Sequence, residues 1–332
     1  MYTRRLLRGL GDSEADVLAA VGGGFTAAAD ALSAEPFTGL GKVFAENVSI
    51  PLRGRRFSPC LTHLPAFSGR GIPGVPCIVT LHDLAFRREP SWFPRLRSAY
   101  YGHHFGRSVR RADIVMVDSD FTASEAVDLL GVEAERIRRV YLCTDSFAAD
   151  PGDFRRSWGI YGTYAVFTGT LEPRKNLSEL LEAWPGIRRK HPGTVLVIAG
   201  RPGWKSRELA ARMEAVDGVV YTGSLSPGML RSCVSGARLM VYPSLYEGFG
   251  LPPLEAASAG VPSVVTPAGS LVEVYGDVAT VAGGFDAVSI EAAVLDALES
   301  RTDPAVLRDF ASGFSVGSMA ERVMDVYGEF CR

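Results

Sequence analysis

The chain has 332 residues, 47% of them apolar and 22% charged, with a formal net charge of −2. That length is too great for one typical domain and suits two. The composition is that of a globular protein with a real core, and the charge excludes a whole-molecule binder of polyanions, so no nucleic-acid partner is expected.

In chain order, Tyr2–Leu10 (YTRRLLRGL) reads as a helix, and short β-branched runs then alternate with helix-like segments, the pattern of parallel α/β sheets. The predicted strands of the first half are Ala15–Gly22, Pro76–Leu81, Asp113–Val117 and Ile137–Leu142. Thr144–Tyr161, with Pro151 and Gly152 and no clear period, reads as the linker. The second half offers strands at Tyr164–Gly169, Thr194–Ala199, Gly218–Thr222, Arg238–Tyr242 and Pro262–Thr266. Helices are predicted at Asn176–Lys190, Ser206–Ala215, Pro227–Ser235 and Ser289–Glu299, and Ser315–Arg332 reads as an amphipathic helix. Asn176 and Glu179 form an N-x-x-E start signal. The expected domains are 1–145 and 146–314, with the last helix, 315–332, packing back on the first.

Five cysteines at 60, 77, 143, 233 and 331 form no C-x-x-C pair and have no histidine at ligand spacing. Reduced thiols in a cytoplasmic setting are expected, and no structural zinc. No apolar run is long enough to span a membrane, and the first 30 residues lack the order of a signal peptide.

Tyr242–Gly260 (YPSLYEGFGLPPLEAASAG) carries the most chemistry. A strand runs into a loop with Gly248 and Gly250, and Pro252 and Pro253 suit a first helical turn. The amides of Phe249, Gly250 and Leu251 then form an anion site at a helix N-terminus. Glu247 sits on one rim and Glu255 in the first helical turn, both suited to neutral hydroxyls. Alone, this pair reads more simply as a solvated loop residue and a helix-dipole partner. Thr168–Leu177 (TGTLEPRKNL) is a second strand-to-helix corner, including Gly169 and Thr170, with two cations, Arg174 and Lys175. Ligands of open α/β sheets bind at the carboxyl ends of strands, so both corners should meet over one crevice. There Arg174 and Lys175 would neutralise a diphosphate without a metal.

The segments EGFGLPPLEA, GTLEPRKNL and TLHDLAF, in this order and spacing, resemble the retaining glycosyltransferases of family 4, which have the GT-B fold. The likeness runs from Tyr2 to about Tyr327 and is nearest a mannosyltransferase-like subgroup of polysaccharide assembly. It implies two doubly wound Rossmann-like domains facing a cleft. It also implies a nucleotide-sugar donor, with GDP-mannose favoured, no cofactor or metal, and a glycan or lipid-linked acceptor. By the same resemblance Arg174 and Lys175 contact the diphosphate, Glu255 the ribose and Glu247 a sugar hydroxyl, and the base stacks near Ser224 and Leu225. His82, with Asp83, would end a first-half strand opposite the donor motifs, positioning the sugar and stabilising charge rather than acting as a base. His63 and His104 are read as structural.

The sequence Asp118-Ser119-Asp120 could chelate a metal in other glycosyltransferases, but it lies before FTASEAV, where Ser119 or Asp120 serves as an N-cap. Trp92–Arg111 has five arginines after Pro94 and no acid. A peripheral membrane contact and a helix with aromatics inward and arginines outward stand even there.

The chain departs from the family in lacking a strand and glycine-rich loop before Tyr2, so the first strand of the N-terminal domain is missing. The expectation is an internal methionine start, with the protein beginning roughly 15–20 residues earlier. Leu142-Cys143-Thr144-Asp145 replaces the usual junction turn, and Thr170 stands where some relatives have arginine. Competing readings are a non-catalytic GT-B partner or truncated enzyme that retains nucleotide binding, and a nucleotide-sugar epimerase of the same fold. A dehydrogenase is weak, since GGGF at Gly22–Phe25 lacks G-x-G-x-x-G.

Overall fold

Aliphatic and β-branched runs too apolar for a half-exposed sheet become central parallel strands, as burial on both faces requires. The computed structural model describes residues 2–11, 18–21, 24–27, 48–65, 69–94, 102, 105–204 and 207–331, with no side-chain description for 18–27 or 207. They form two compact units: Met1–Pro90 with Arg95–Cys143 and Phe314–Arg332, and Ser91–Pro94 with Thr144–Gly313.

In the first unit, β1 (Leu18–Val21) and β2 (Gly24–Ala27) form an antiparallel pair. The strand expected at Ala15–Gly22 is therefore half of a hairpin, not a member of the parallel sheet. The parallel sheet has the order β3 (Thr62–Leu64), β4 (Cys77–Leu81), β5 (Ile114–Val117), β6 (Ile137–Arg139). The whole of β5 is buried, whereas β6, with sequence IRR, lies at an edge and ends in an exposed arginine. Helix Tyr2–Gly11 packs on helix Val316–Tyr327. Contact is so close that a Cβ on Gly9 would fall 2.7 Å from Ala320 Cβ. Buried Arg5 donates to the Cys143 carbonyl at 2.7 Å.

Cys60 and Cys331 form a disulfide, which overturns the expectation of reduced thiols throughout. Spacing rules detect local pairs, whereas packing of the last helix joins residues 271 positions apart. Cys77, Cys143 and Cys233 take no part in a disulfide. Within Trp92–Arg111, residues 95–101, 103 and 104 lie outside the described residues, His104 among them. In helical 105–111, Phe105 and Val109 are buried and Arg107, Arg110 and Arg111 exposed, the inward-aromatic arrangement. Among the described residues no helix is long and apolar enough to cross a membrane.

The second unit has six parallel strands: β7 (Tyr164–Thr168), β8 (Val195–Ala199), β9 (Val219–Gly223), β10 (Leu239–Tyr242), β11 (Ser263–Val265) and β12 (Thr280–Val281). Their order is β12-β11-β10-β7-β8-β9. Chain direction across the sheet reverses between β7 and β10, so the topological switch point lies at their carboxyl ends. The expected linker Thr144–Tyr161 instead contains helix Gly152–Trp158 and buries Phe147 and Phe154 in this core. Aromatic residues, invisible to a search for turn formers, tie it down. Helix Leu177–Lys190 begins where N-x-x-E placed it, but not by that device. Asn176 is left-handed, φ 55°, and its amide donates to the Phe285 carbonyl, while Glu179 accepts from the Ala287 amide of another helix.

Candidate functional site

Both predicted corners of the second unit leave the strands that flank the switch point. The first runs from β7 through Gly169 and a 3-10 turn, Pro173–Lys175, into helix Leu177–Lys190. The second runs from β10 into helix Leu251–Ala259. They meet: the Leu245 amide donates to the Arg174 carbonyl at 2.7 Å.

The side chains form a nearly dry charge cluster. Lys175 Nζ donates to Glu247 Oε1 and to the Tyr242 hydroxyl, each at 2.5 Å. Tyr242 in turn donates to Glu247 Oε1 at 3.1 Å, and the ammonium lies 4.7 Å from its ring centre. Arg174 reaches Glu247 Oε2 at 3.1 Å and Glu172 Oε1 at 2.5 Å. Lys175, Glu172 and Glu247 side chains are 6–7% exposed and Arg174 18%, so the charges depend on one another rather than on water. Burial alone would raise the Glu247 carboxyl, but Arg174 and Lys175 overcome it and bring the value down to about 2. Burial, then Arg174, lowers Lys175 against the pull of Glu247.

The expected placement of Glu247 on a rim did not foresee these partners: two cations stand 72 and 73 residues upstream and contact both its oxygens. Sequence reasoning also missed Glu172, inside the quoted motif, and Tyr242, which reads as a strand end. Glu255 is buried but lies in the second helical turn, because the helix starts at Leu251 rather than at the prolines. Gly250, φ 86°, starts that helix in a conformation suited to glycine, and its carbonyl accepts from Tyr275 at 2.6 Å. Gly248 and Phe249 are buried and Leu251 half-buried. On the β7 side Gly169 is half-buried and Thr170 accepts from Arg201. Ser224 is exposed and Leu225 half-buried after β9.

His82 and Asp83 belong to the first unit, after β4. Asp83 accepts from the Ala85 amide, starting a short helical turn. His82 Nδ1 lies 2.7 Å from Asp118 Oδ2, and Nε2 lies 3.0 Å from the Pro65 carbonyl. Of the D-S-D run, Ser119 is the N-cap, Asp120 pairs with Arg139 at 2.9 Å, and Asp118 is buried against His82. No local pattern announces that contact, which spans 36 positions.

A parallel sheet wound with a switch point, beside a second parallel α/β unit, is the architecture of GT-B glycosyltransferases. A sucrose-phosphate synthase from Thermosynechococcus elongatus superposes with a TM-score of 0.72 at 18% identity, covering 99% of this chain and 92% of that one. Anabaena HepE, solved with UDP and glucose, gives 0.65 at 18%, covering 78% and 73%. The family model "Glycosyl transferases group 1" matches residues 153–312, and "Glycosyl transferase 4-like domain" matches 58–143. The chain belongs to the family 4 glycosyltransferases. O-antigen chain mannosyltransferase B of Escherichia coli is 33% identical over 238 residues, 67% of this chain and 61% of that protein. The chain spans 50–61% of the length of the first curated relatives it matches.

Proposed function

We propose that this glycosyltransferase moves a hexose, mannose favoured, from a nucleotide-sugar to a glycan or lipid-linked acceptor, with retention and without a metal. The observation that carries the reading is the joining of Arg174, Lys175 and Glu247 at the carboxyl ends of β7 and β10. Two cations held at a switch point suit a diphosphate, and protein charge there can do what magnesium does elsewhere. On this reading the donor diphosphate competes with Glu247 for Lys175, and a released carboxylate oxygen accepts from a sugar hydroxyl. The likeness to a mannosyltransferase supports the sugar, and the resemblance noted above supports Glu255 as the ribose partner.

The test is calorimetric titration of GDP-, UDP-, dTDP- and ADP-sugars in EDTA. One donor should bind, and Lys175→Ala should weaken it by about 1.5–3 kcal/mol for a lost charged hydrogen bond. Glu255→Ala should weaken it too. Unchanged affinity in both variants would discredit the site, and binding only after magnesium is restored would discredit the metal-free reading. The anomeric configuration of the product decides retention.

A further inference from the structure

His63 lies within β3 and His82 directly follows the neighbouring β4, yet their surroundings differ in kind. His63 sits between two hydroxyls, Tyr327 at Nδ1 (2.6 Å) and Thr80 at Nε2 (2.7 Å). Loss of hydration, then the charge of His82, brings it down to about 3, so it stays neutral. His82 instead faces the Asp118 carboxyl at Nδ1 and a backbone carbonyl at Nε2. A carbonyl oxygen has no proton to give, so Nε2 must carry the hydrogen of that contact. The Nδ1 contact then holds one more proton, whether on the ring or on the carboxyl.

We propose that Asp118 is a positioning residue that fixes His82 as a hydrogen-bond donor through Nε2, ready for a substrate oxygen in place of the Pro65 carbonyl. Geometry supports the role. Asp118 follows β5 directly, its side chain is 2% exposed, and Ser119, the cap of the next helix, anchors its backbone. The His82 side chain is 24% exposed, so a ligand can reach it. The Tyr2 ring meets the imidazole edge-on at 4.7 Å and fixes its plane. The charged and titratable groups around the ring are Asp118 from β5, Asp83 beside it, His63 from β3 and Tyr2 from the first helix. Burial alone would lower His82, but Asp118, with smaller help from the Pro65 carbonyl and Asp83, offsets it and the net direction is up. In Asp118 burial wins over His82, so that carboxyl is raised as well. Both directions keep the extra proton on the pair. While it holds that extra proton, the pair does not take another through Nε2 as a general base; it donates a hydrogen bond or offers positive charge to a hydroxyl or phosphate oxygen.

The catalytic part rests on the glycosyl-transfer reading, so the test begins with a readout that needs no substrate. Side-chain nitrogen NMR of the full chain should show His82 Nε2 protonated at neutral pH, with a titration midpoint above the ordinary histidine value. Asp118→Asn should lower that midpoint and Asp118→Glu should restore it in part, while His63 stays neutral in all three. Once a donor is found, Asp118→Asn should lower kcat roughly tenfold to hundredfold with donor KM unchanged. An unprotonated Nε2 in the wild-type protein, or one midpoint shared by wild type and Asp118→Asn, would overturn the inference. The wild-type spectrum decides even where the variant does not fold. Failure of every nucleotide-sugar to bind, with the His82 titration as expected, would sink the donor reading and leave the dyad standing.

Discussion

Lys175 and Glu247, 72 residues apart, meet at 2.5 Å with both side chains only 7% exposed. A pair this dry is held by its hydrogen bonds more than by charge alone, since burying either ion singly is costly. Glu247→Gln keeps the shape but leaves Lys175 and Arg174 facing a neutral amide. It should destabilise the protein by about 3–5 kcal/mol in chemical denaturation. The pH window follows from the depressed carboxyl. Its stabilisation is complete above the ordinary 4.5 and is lost as pH falls toward about 2. The difference between wild type and Glu247→Gln should shrink across that window, and a difference independent of pH would refute the assignment.

Gly250 gives a second, purely steric prediction. Its φ is 86°, and a Cβ there would sit 2.5 Å from Leu271 Cδ2. Gly250→Ala should cost about 2–4 kcal/mol, combining left-handed strain with overpacking. Adding Leu271→Ala should recover the overpacking part, so that the two changes are not additive. Strict additivity would mean that Leu271 is not what the new methyl meets.

The sequence made the second unit largely legible, because β7, β8 and β10 are continuous apolar runs and helix Pro227–Ser235 has a serine cap before its proline. Convergence of the two corners was also legible, since both follow strands at one end of a parallel sheet. Ionic partners were not. Glu172 and Tyr242 join the Arg174–Lys175–Glu247 cluster, and Asp118 meets His82 in the first unit, because of distances created by folding, and each reads locally as a loop, cap or strand residue. The Cys60–Cys331 disulfide escaped the sequence for the same reason.

The disulfide carries its own prediction. It joins the stretch before β3 to the end of the chain just past helix Val316–Tyr327, closing a span of 271 positions. Cross-links closing long loops stabilise mainly by restricting the unfolded chain, typically by about 2–4 kcal/mol. Reduction, or Cys60→Ser with Cys331→Ser, should lower the urea midpoint and raise amide exchange in residues 316–327 before the second unit is affected. Loss of protection spread evenly over both units would show that the clip does not act on this helix.

His63 predicts an acid limit to the first unit's stability. Its ring contacts Tyr327 and Thr80, which join the last helix to β3 and β4. Loss of hydration, then His82, lowers it from 6.5 to about 3. The unfolded chain therefore takes up a proton at higher pH than the folded one, so this stabilisation is present above about 6.5 and is lost as pH falls toward about 3. Within the window the slope should be about 1.4 kcal/mol per pH unit. Asp118 acts on His82 in the opposite sense, through a raised value, so that its effect lies above 6.5 and does not mask this one. His63→Gln keeps one polar contact and cannot titrate. Its unfolding free energy, subtracted from that of the wild type at each pH, should trace this slope below pH 6.5 and flatten above it, and a flat difference throughout would mean that His63 takes up its proton as readily in the folded protein as in the unfolded chain.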